Sequence, residues 1–144
     1  IYLLAMMLCL LILPATARAA PAANPTAFAN EEALSNQWID SMLVKKDSAA
    51  ALNIMSADAK KNVKAAEMQK AQERMSKELG TLKESRFVSW TRFDKPDQVI
   101  YLMSFDKAKV VRCEFIFNSK GELDYFALTP FAPQENAKNA RAKK

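Results

Sequence analysis

Histidine is absent from all 144 residues. That excludes Ser-His-Asp and Cys-His catalysis, histidine zinc sites and haem attachment through Cys-x-x-Cys-His. Glycine is almost absent, with only Gly80 and Gly121, so neither a Walker A loop nor a dinucleotide fingerprint can be written. Cysteine is confined to Cys9 and Cys113. No Asp-x-Asp-x-Asp calcium loop occurs, and Asn24-Pro25-Thr26 is no glycosylation acceptor because its middle residue is proline. From the residues alone we assign no catalytic set, no metal and no cofactor.

What is present is a globular composition. Half the chain is hydrophobic and 26% is charged, which suits one domain with a real core. The chain opens on an apolar run, Ile1 to Leu13, ended by Pro14 and followed by Ala-Thr-Ala-Arg-Ala-Ala. An apolar stretch before a small-x-small site is the pattern of a secretory signal peptide. The reading is a signal over 1–19, cut after Ala17-Arg18-Ala19, with Ala15-Thr16-Ala17 as the second site. A membrane anchor is the rival, although a spanning helix needs roughly 20 apolar residues and this run is shorter. Export to the periplasm or beyond is the expectation. Cleavage would remove Cys9 and leave no intramolecular disulfide. Cys113 lies in an alternating strand and reads as a small buried apolar residue.

The expected domain organisation is a disordered leader over 20–29, one α+β domain over 30–131, and a disordered basic tail over 132–144. Asn30 is placed to cap a helix from about Glu31 to Lys45, with Glu31 and Glu32 at the positive end of its dipole. Leu34, Trp38 and Met42 form its apolar stripe, with Ile39 and Leu43 beside them. A short helix over Ser48–Met55 follows, and Ser56 or Asp58 caps another turn through Val63. Met68, Ala71, Met75 and Leu79 mark a helix over Ala65–Leu79, with Gly80 at the stop. Its other face mixes Lys70, Glu73, Arg74, Lys77 and Glu78, the pattern of a solvated surface.

After Gly80 the period changes from 3.6 to 2. Strands are expected over Arg86–Phe93, Val99–Phe105, Val110–Phe117 and Leu123–Leu128. Lys95-Pro96-Asp97 and Asn118-Ser119-Lys120-Gly121 supply turn chemistry. In the first strand Val88 and Trp90 alternate against Phe87, Ser89 and Thr91. Helices before an antiparallel meander define α+β: N-terminal helices packed on a curved four-stranded sheet. The uncovered face would expose Ile100, Leu102, Val110 and Ile116, and such a patch marks an interface. A homodimer through the sheet face is therefore expected.

The order of these elements resembles bacterial exported domains with the nuclear-transport-factor-2-like cone fold. The resemblance rests on Trp38-Ile39-Asp40, on Glu78-Leu79-Gly80 ending a Lys/Glu-rich helix, on Phe105-Asp106, and on Phe117-Asn118-Ser119-Lys120-Gly121-Glu122. It covers roughly residues 31–128. It implies helices closing the open end of a bent sheet, with a pocket between them. Enzymes of that fold commonly use an Asp-His or a Tyr-Asp arrangement. Here the first is impossible, and the second would pair Tyr101 or Tyr125 with Asp40, Asp106 or Asp124.

The expected function is a non-enzymatic binding domain for an envelope protein or a small apolar ligand. Trp38, Met42, Tyr101, Met103, Phe115 and Tyr125 are the pocket-lining candidates. A small isomerase or hydrolase using a Tyr/Asp pair is the alternative. Ser104-Phe105-Asp106-Lys107 fits a Ser-x-x-Lys pattern, but it ends a strand and lacks the companion motifs. The net charge of +5 includes Arg18 of the signal and the basic tail, so the folded body is close to neutral. No nucleic-acid partner is expected. Membrane contact is limited to an uncleaved signal or a weak tail attraction to anionic lipid.

Overall fold

The structure is a computed structural model that describes residues 25–131. The expected signal peptide, the first part of the leader and the basic tail lie outside the described residues. Four helices precede a four-stranded sheet, so the protein is α+β, with helices packed on an antiparallel sheet. No described helix is long and apolar enough to cross a membrane.

The first helix, α1, spans Pro25–Ile39 and begins well before the expected Asn30 cap. Residues 25–29, read from sequence as leader, are its opening turns. Proline suits a helix start because its missing N–H would find no partner there. A tertiary contact holds the extension: Phe28 packs edge-on against Phe87 and Trp90, at centroid distances of 5.5 and 5.8 Å. Consequently Glu31 sits mid-helix and not in the first turn.

α1 runs into a π-helical turn over Asp40–Val44, where the Lys45 amide donates to the Asp40 carbonyl at 2.8 Å. The wider turn buries Ser41, Met42 and Leu43 together. α2 (Ser48–Asn53) is capped by Asp47, whose carboxylate accepts from the Ala50 amide at 3.0 Å. α3 (Ala57–Asn62) is capped by Ser56, one of the two expected residues. α4 spans Ala65–Leu79 as expected and buries Met68, Gln72 and Leu79. Gly80 stops it at φ 78°, ψ −148°, a region essentially restricted to glycine. A β-carbon there would meet the Asp106 β-carbon at 3.0 Å.

The sheet is a meander in the order β1 (Leu82–Arg92), β2 (Asp97–Phe105), β3 (Val111–Phe117) and β4 (Leu123–Pro130). β2 and β3 alternate cleanly. Val99, Tyr101, Met103 and Phe105 point inward, as do Val111, Cys113, Phe115 and Phe117, and all are buried. Cys113 is a free, fully buried thiol whose ionisation burial opposes strongly.

β1 slips register twice, first between Leu82 and Glu84, and the β3–β4 pairing slips once; the second β1 slip and the β4 slip redirect the side chains that matter here. In β1 the register slips between Phe87 and Ser89, so Phe87 pairs with Tyr101 while Trp90 pairs with Val99. The extra residue, Val88, is bulged out, and Phe87, Trp90 and Arg92 all face the helices. The sequence had placed Phe87 opposite Trp90; the bulge puts them on one face. In β4 the slip falls at Asp124: Leu123 pairs with Phe117 but Tyr125 pairs with Ile116. Strict alternation from buried Leu123 would bury Tyr125; the bulge turns it outward and sends Phe126 and Leu128 in.

The outer face carries Leu102, Ile116 and Tyr125 among polar groups. Gln98 donates to Glu114 at 2.7 Å, and Arg112 pairs with Glu114 at 3.3 Å. Ile100 is buried despite facing outward, while Leu102 is 38% exposed and Val110, just before β3, is 46% exposed.

A polar cleft beneath the start of the first helix

Three segments meet at one end of the sheet: the N-terminal turns of α1, the β1–β2 turn and the β3–β4 turn. They enclose a cleft of about 500 Å³ with Glu31, Arg92, Asp97 and Gly121 among its walls. Each wall has a local cause. Glu31 belongs to the buried stripe of α1, spaced 4, 7 and 11 residues before the buried Ser35, Trp38 and Met42. Arg92 and Asp97 are cross-strand partners on the inner face, at the last rung before the turn. Gly121 has φ 76°, and its turn is built by Asn118, whose side-chain oxygen accepts from the Lys120 and Glu122 amides at 2.9 and 3.0 Å. That turn was legible in sequence.

The charged groups are not equivalent. Asp97 is 4% exposed and takes a two-pronged contact from Arg92, Nε to Oδ1 at 3.0 Å and Nη2 to Oδ2 at 2.8 Å. This fork holds the Asp97 carboxyl below the usual carboxylate range. The Arg92 guanidinium also lies over the Trp90 ring, 5.1 Å from its centroid. Trp90 turns its indole N–H toward Glu31 and donates to Oε2 at 2.7 Å.

Glu31 is 1% exposed, and its second oxygen, Oε1, is buried without a hydrogen-bond donor. Burial first, and then the neighbouring Asp97 carboxylate, push its pKa from the ordinary 4.5 to about 7. Below that value Glu31 is a neutral acid beside an ionised Asp97, and its proton can be shared with that neighbour. Above it, a buried carboxylate oxygen lies behind the cleft wall beside Gly121, 3.9 Å from where a β-carbon of that residue would sit. The cluster pairs a neutral acid with an ionised one at the floor of a cleft, the arrangement in which perturbed acidity marks a functional site. Among the described residues no group of three or more His, Cys, Asp or Glu side chains could hold a metal ion.

The sequence-derived pocket residues lie elsewhere. Trp38, Met42, Tyr101, Met103 and Phe115 converge in the interior and are at most 3% exposed. Trp38 stacks edge-on against Phe115 at 5.2 Å, and Phe115 lies 6.0 Å from Tyr101. They fill the core. Tyr125 stands apart from them, 55% exposed on the outer face, for the bulge reason given above. The tyrosine–aspartate pairs of the enzyme alternative are not made by hydrogen bonds among the described residues. Tyr101 donates to Asn36 at 3.3 Å. Asp40 pairs with Lys45, Asp106 with Lys83, and Asp124 accepts from Ser56.

Sequence reasoning missed Glu31, Trp90, Arg92 and Asp97 as a site. A usable signal existed for Glu31, because the Trp38–Met42 stripe projected backward reaches it. Arg92 and Asp97 also flank a proline turn at positions a tight hairpin pairs.

No protein-family model matches the chain, and no curated protein matches it. Among solved structures, a chain from Kribbella flavida DSM 17836, described as a "known function protein", is similar to it. The likeness covers 78% of this chain and 96% of that one, at 13% identity and a TM-score of 0.46. The α+β assignment rests on this chain's own elements and their pairing.

Proposed function

We propose that the protein is an exported, non-enzymatic binding domain of nuclear-transport-factor-2-like architecture, and that the Glu31 cleft receives a small polar ligand. The observation that carries this reading is the buried carboxyl oxygen of Glu31, unpaired at the floor of a roomy cleft. Once Glu31 is ionised that oxygen has no donor among the described residues, and an unmet buried polar atom costs about 1–3 kcal/mol. The apolar ligand expected from sequence gives way, since the apolar candidates occupy the core. Export rests on the pattern of residues 1–19. Pairing of two copies through the outer sheet face is the proposed assembly. Leu102 and Val110 would be covered there, and the Arg86–Glu84 and Arg112–Glu114 pairs offer the two-signed rim a two-fold contact needs.

The test is native mass spectrometry of the protein from a secreting host, set against its denatured mass. We expect a polypeptide beginning at Ala20, a dimer, and a non-covalent small-molecule adduct that Glu31→Gln loses. An adduct-free wild-type protein whose melting temperature no polar metabolite raises would overturn the ligand reading. An uncleaved mass would overturn release from the membrane.

A further inference from the structure

We propose that the Glu31 cleft selects a small zwitterion, an amino acid or ω-amino acid, with its ammonium group on Glu31 and its carboxylate toward Lys95 and Lys120. This rests on the reading of the cleft as a ligand site and names the ligand's chemistry.

The argument follows from what the chain leaves unpaired. Oε2 of Glu31 is held by Trp90, and Asp97 carries the Arg92 fork as its counter-charge. That leaves Glu31 Oε1 as the acceptor wanting a donor. Three groups can meet a buried carboxylate: a proton, a metal ion or an ammonium. The first is the chain's own solution at low pH, shared with Asp97. For the second, no set of three ligating His, Cys, Asp or Glu side chains exists among the described residues. An ammonium brings three N–H donors and one compensating charge in a compact head.

The walls nearer the turns ask for the opposite sign. Lys95 and Lys120 reach the cleft from two different turns, and neither is in any ion pair among the described residues. Asp94, on the same turn as Lys95, is the one acidic group there besides the floor pair. A cation-seeking floor beneath an anion-seeking rim matches a molecule with both charges, and about 500 Å³ admits one of amino-acid size. The groups acting on Glu31 are Trp90 and Arg92 of β1 and Asp97 of β2, while Asp94, Lys95 and Lys120 line the same cleft from the two turns. Because Glu31 holds its proton up to about pH 7, ligand and proton compete for the same oxygen.

The experiment is isothermal titration of the full mature chain with acetate, ethylammonium, glycine, β-alanine, γ-aminobutyrate and 5-aminovalerate. Acetate should give no binding. At least one amino acid should bind about tenfold more tightly than ethylammonium, and its affinity should rise about tenfold from pH 6 to pH 8 as the proton leaves. Glu31→Gln should abolish binding. Lys120→Gln, on an exposed turn, should reduce the best amino acid toward the level of ethylammonium while the fold persists by circular dichroism. Acetate binding as well as the amino acids, affinity unchanged in Glu31→Gln, or no amine bound below about 10 mM would each overturn the proposal. A co-purified ligand without an amine would refute the zwitterion while leaving the cleft a ligand site. Absence of any small-molecule binding would refute both.

Discussion

Glu31→Gln separates the titrating carboxyl from its shape. Glutamine keeps a carbonyl for the Trp90 N–H and an amide donor for Asp97, but it cannot ionise. In the wild type the folded-state pKa of Glu31 is raised, from 4.5 to about 7. A raised acid makes the folded state bind a proton that the unfolded state releases. Its contribution is therefore fully present below pH 4.5, declines as pH rises toward 7, and is gone above it. Each pH unit across that window is worth about 1.4 kcal/mol, so the wild type should lose ~3 kcal/mol between pH 4.5 and 7.5. Asp97 has the opposite sign, because its pKa is lowered by Arg92, and its effect falls below pH 4, outside the window. The assay is urea unfolding followed by tryptophan fluorescence at half-unit pH steps from 4.5 to 8.5. We expect the wild-type midpoint to fall steadily to about pH 7 and then level, and the Gln variant to stay flat. A flat wild-type profile, or an equal slope in Glu31→Gln, would refute the assignment of the buried acid.

Three further substitutions probe the cluster and its frame. Arg92→Met strips Asp97 of its counter-charge and should cost about 2 kcal/mol at pH 7, below the range for wholly buried pairs because Arg92 is half exposed; the loss should shrink at pH 4 as Asp97 protonates, which a pH series of unfolding midpoints reads. Trp90→Phe removes the donor on Glu31 Oε2, so stability should drop by about 1–2 kcal/mol. The indole N–H lowers the Glu31 pKa, so the upper end of the pH window in which stability declines should also move upward in calorimetry, with its lower end unchanged. Gly80→Ala forces a β-carbon into a glycine-only backbone region 3.0 Å from Asp106 and should cost about 1–3 kcal/mol in denaturant unfolding; a loss within error would contradict the backbone geometry.

What the sequence revealed and what it concealed follow from how each feature is encoded. α4 was legible because its stripe repeats over four turns and Gly80 closes it. The inward face of β3 was legible because its seven residues alternate, and that of β2 from the residues Val99, Tyr101, Met103 and Phe105 at every second position, although Ile100 between them is buried too. The Asn118–Gly121 turn announced itself by residue chemistry. The bulges at Val88 and Asp124 did not, since one inserted residue leaves local composition unchanged while inverting every side chain beyond it. Those two slips account for Tyr125 leaving the expected pocket and for Phe87 and Trp90 sharing the face beneath α1. The early start of α1 was hidden because Phe28 earns its helical turn from contacts with Phe87 and Trp90, more than 50 positions away. Glu31 was read as a dipole-favouring acid for the same reason. The aromatic cluster read as pocket lining is apolar enough for either role, and only packing distinguishes a lined void from a filled core.

The most direct measurement is the carbon-13 NMR titration of the Glu31 side-chain carboxyl, assigned by comparison with Glu31→Gln. The account predicts a midpoint near 7, moved downward when an amino acid that binds the cleft is added, because an ammonium on Oε1 favours the ionised form. A midpoint near 4.5 that no such ligand moves would contradict it, and would leave the cleft a surface feature without a poised acid at its floor.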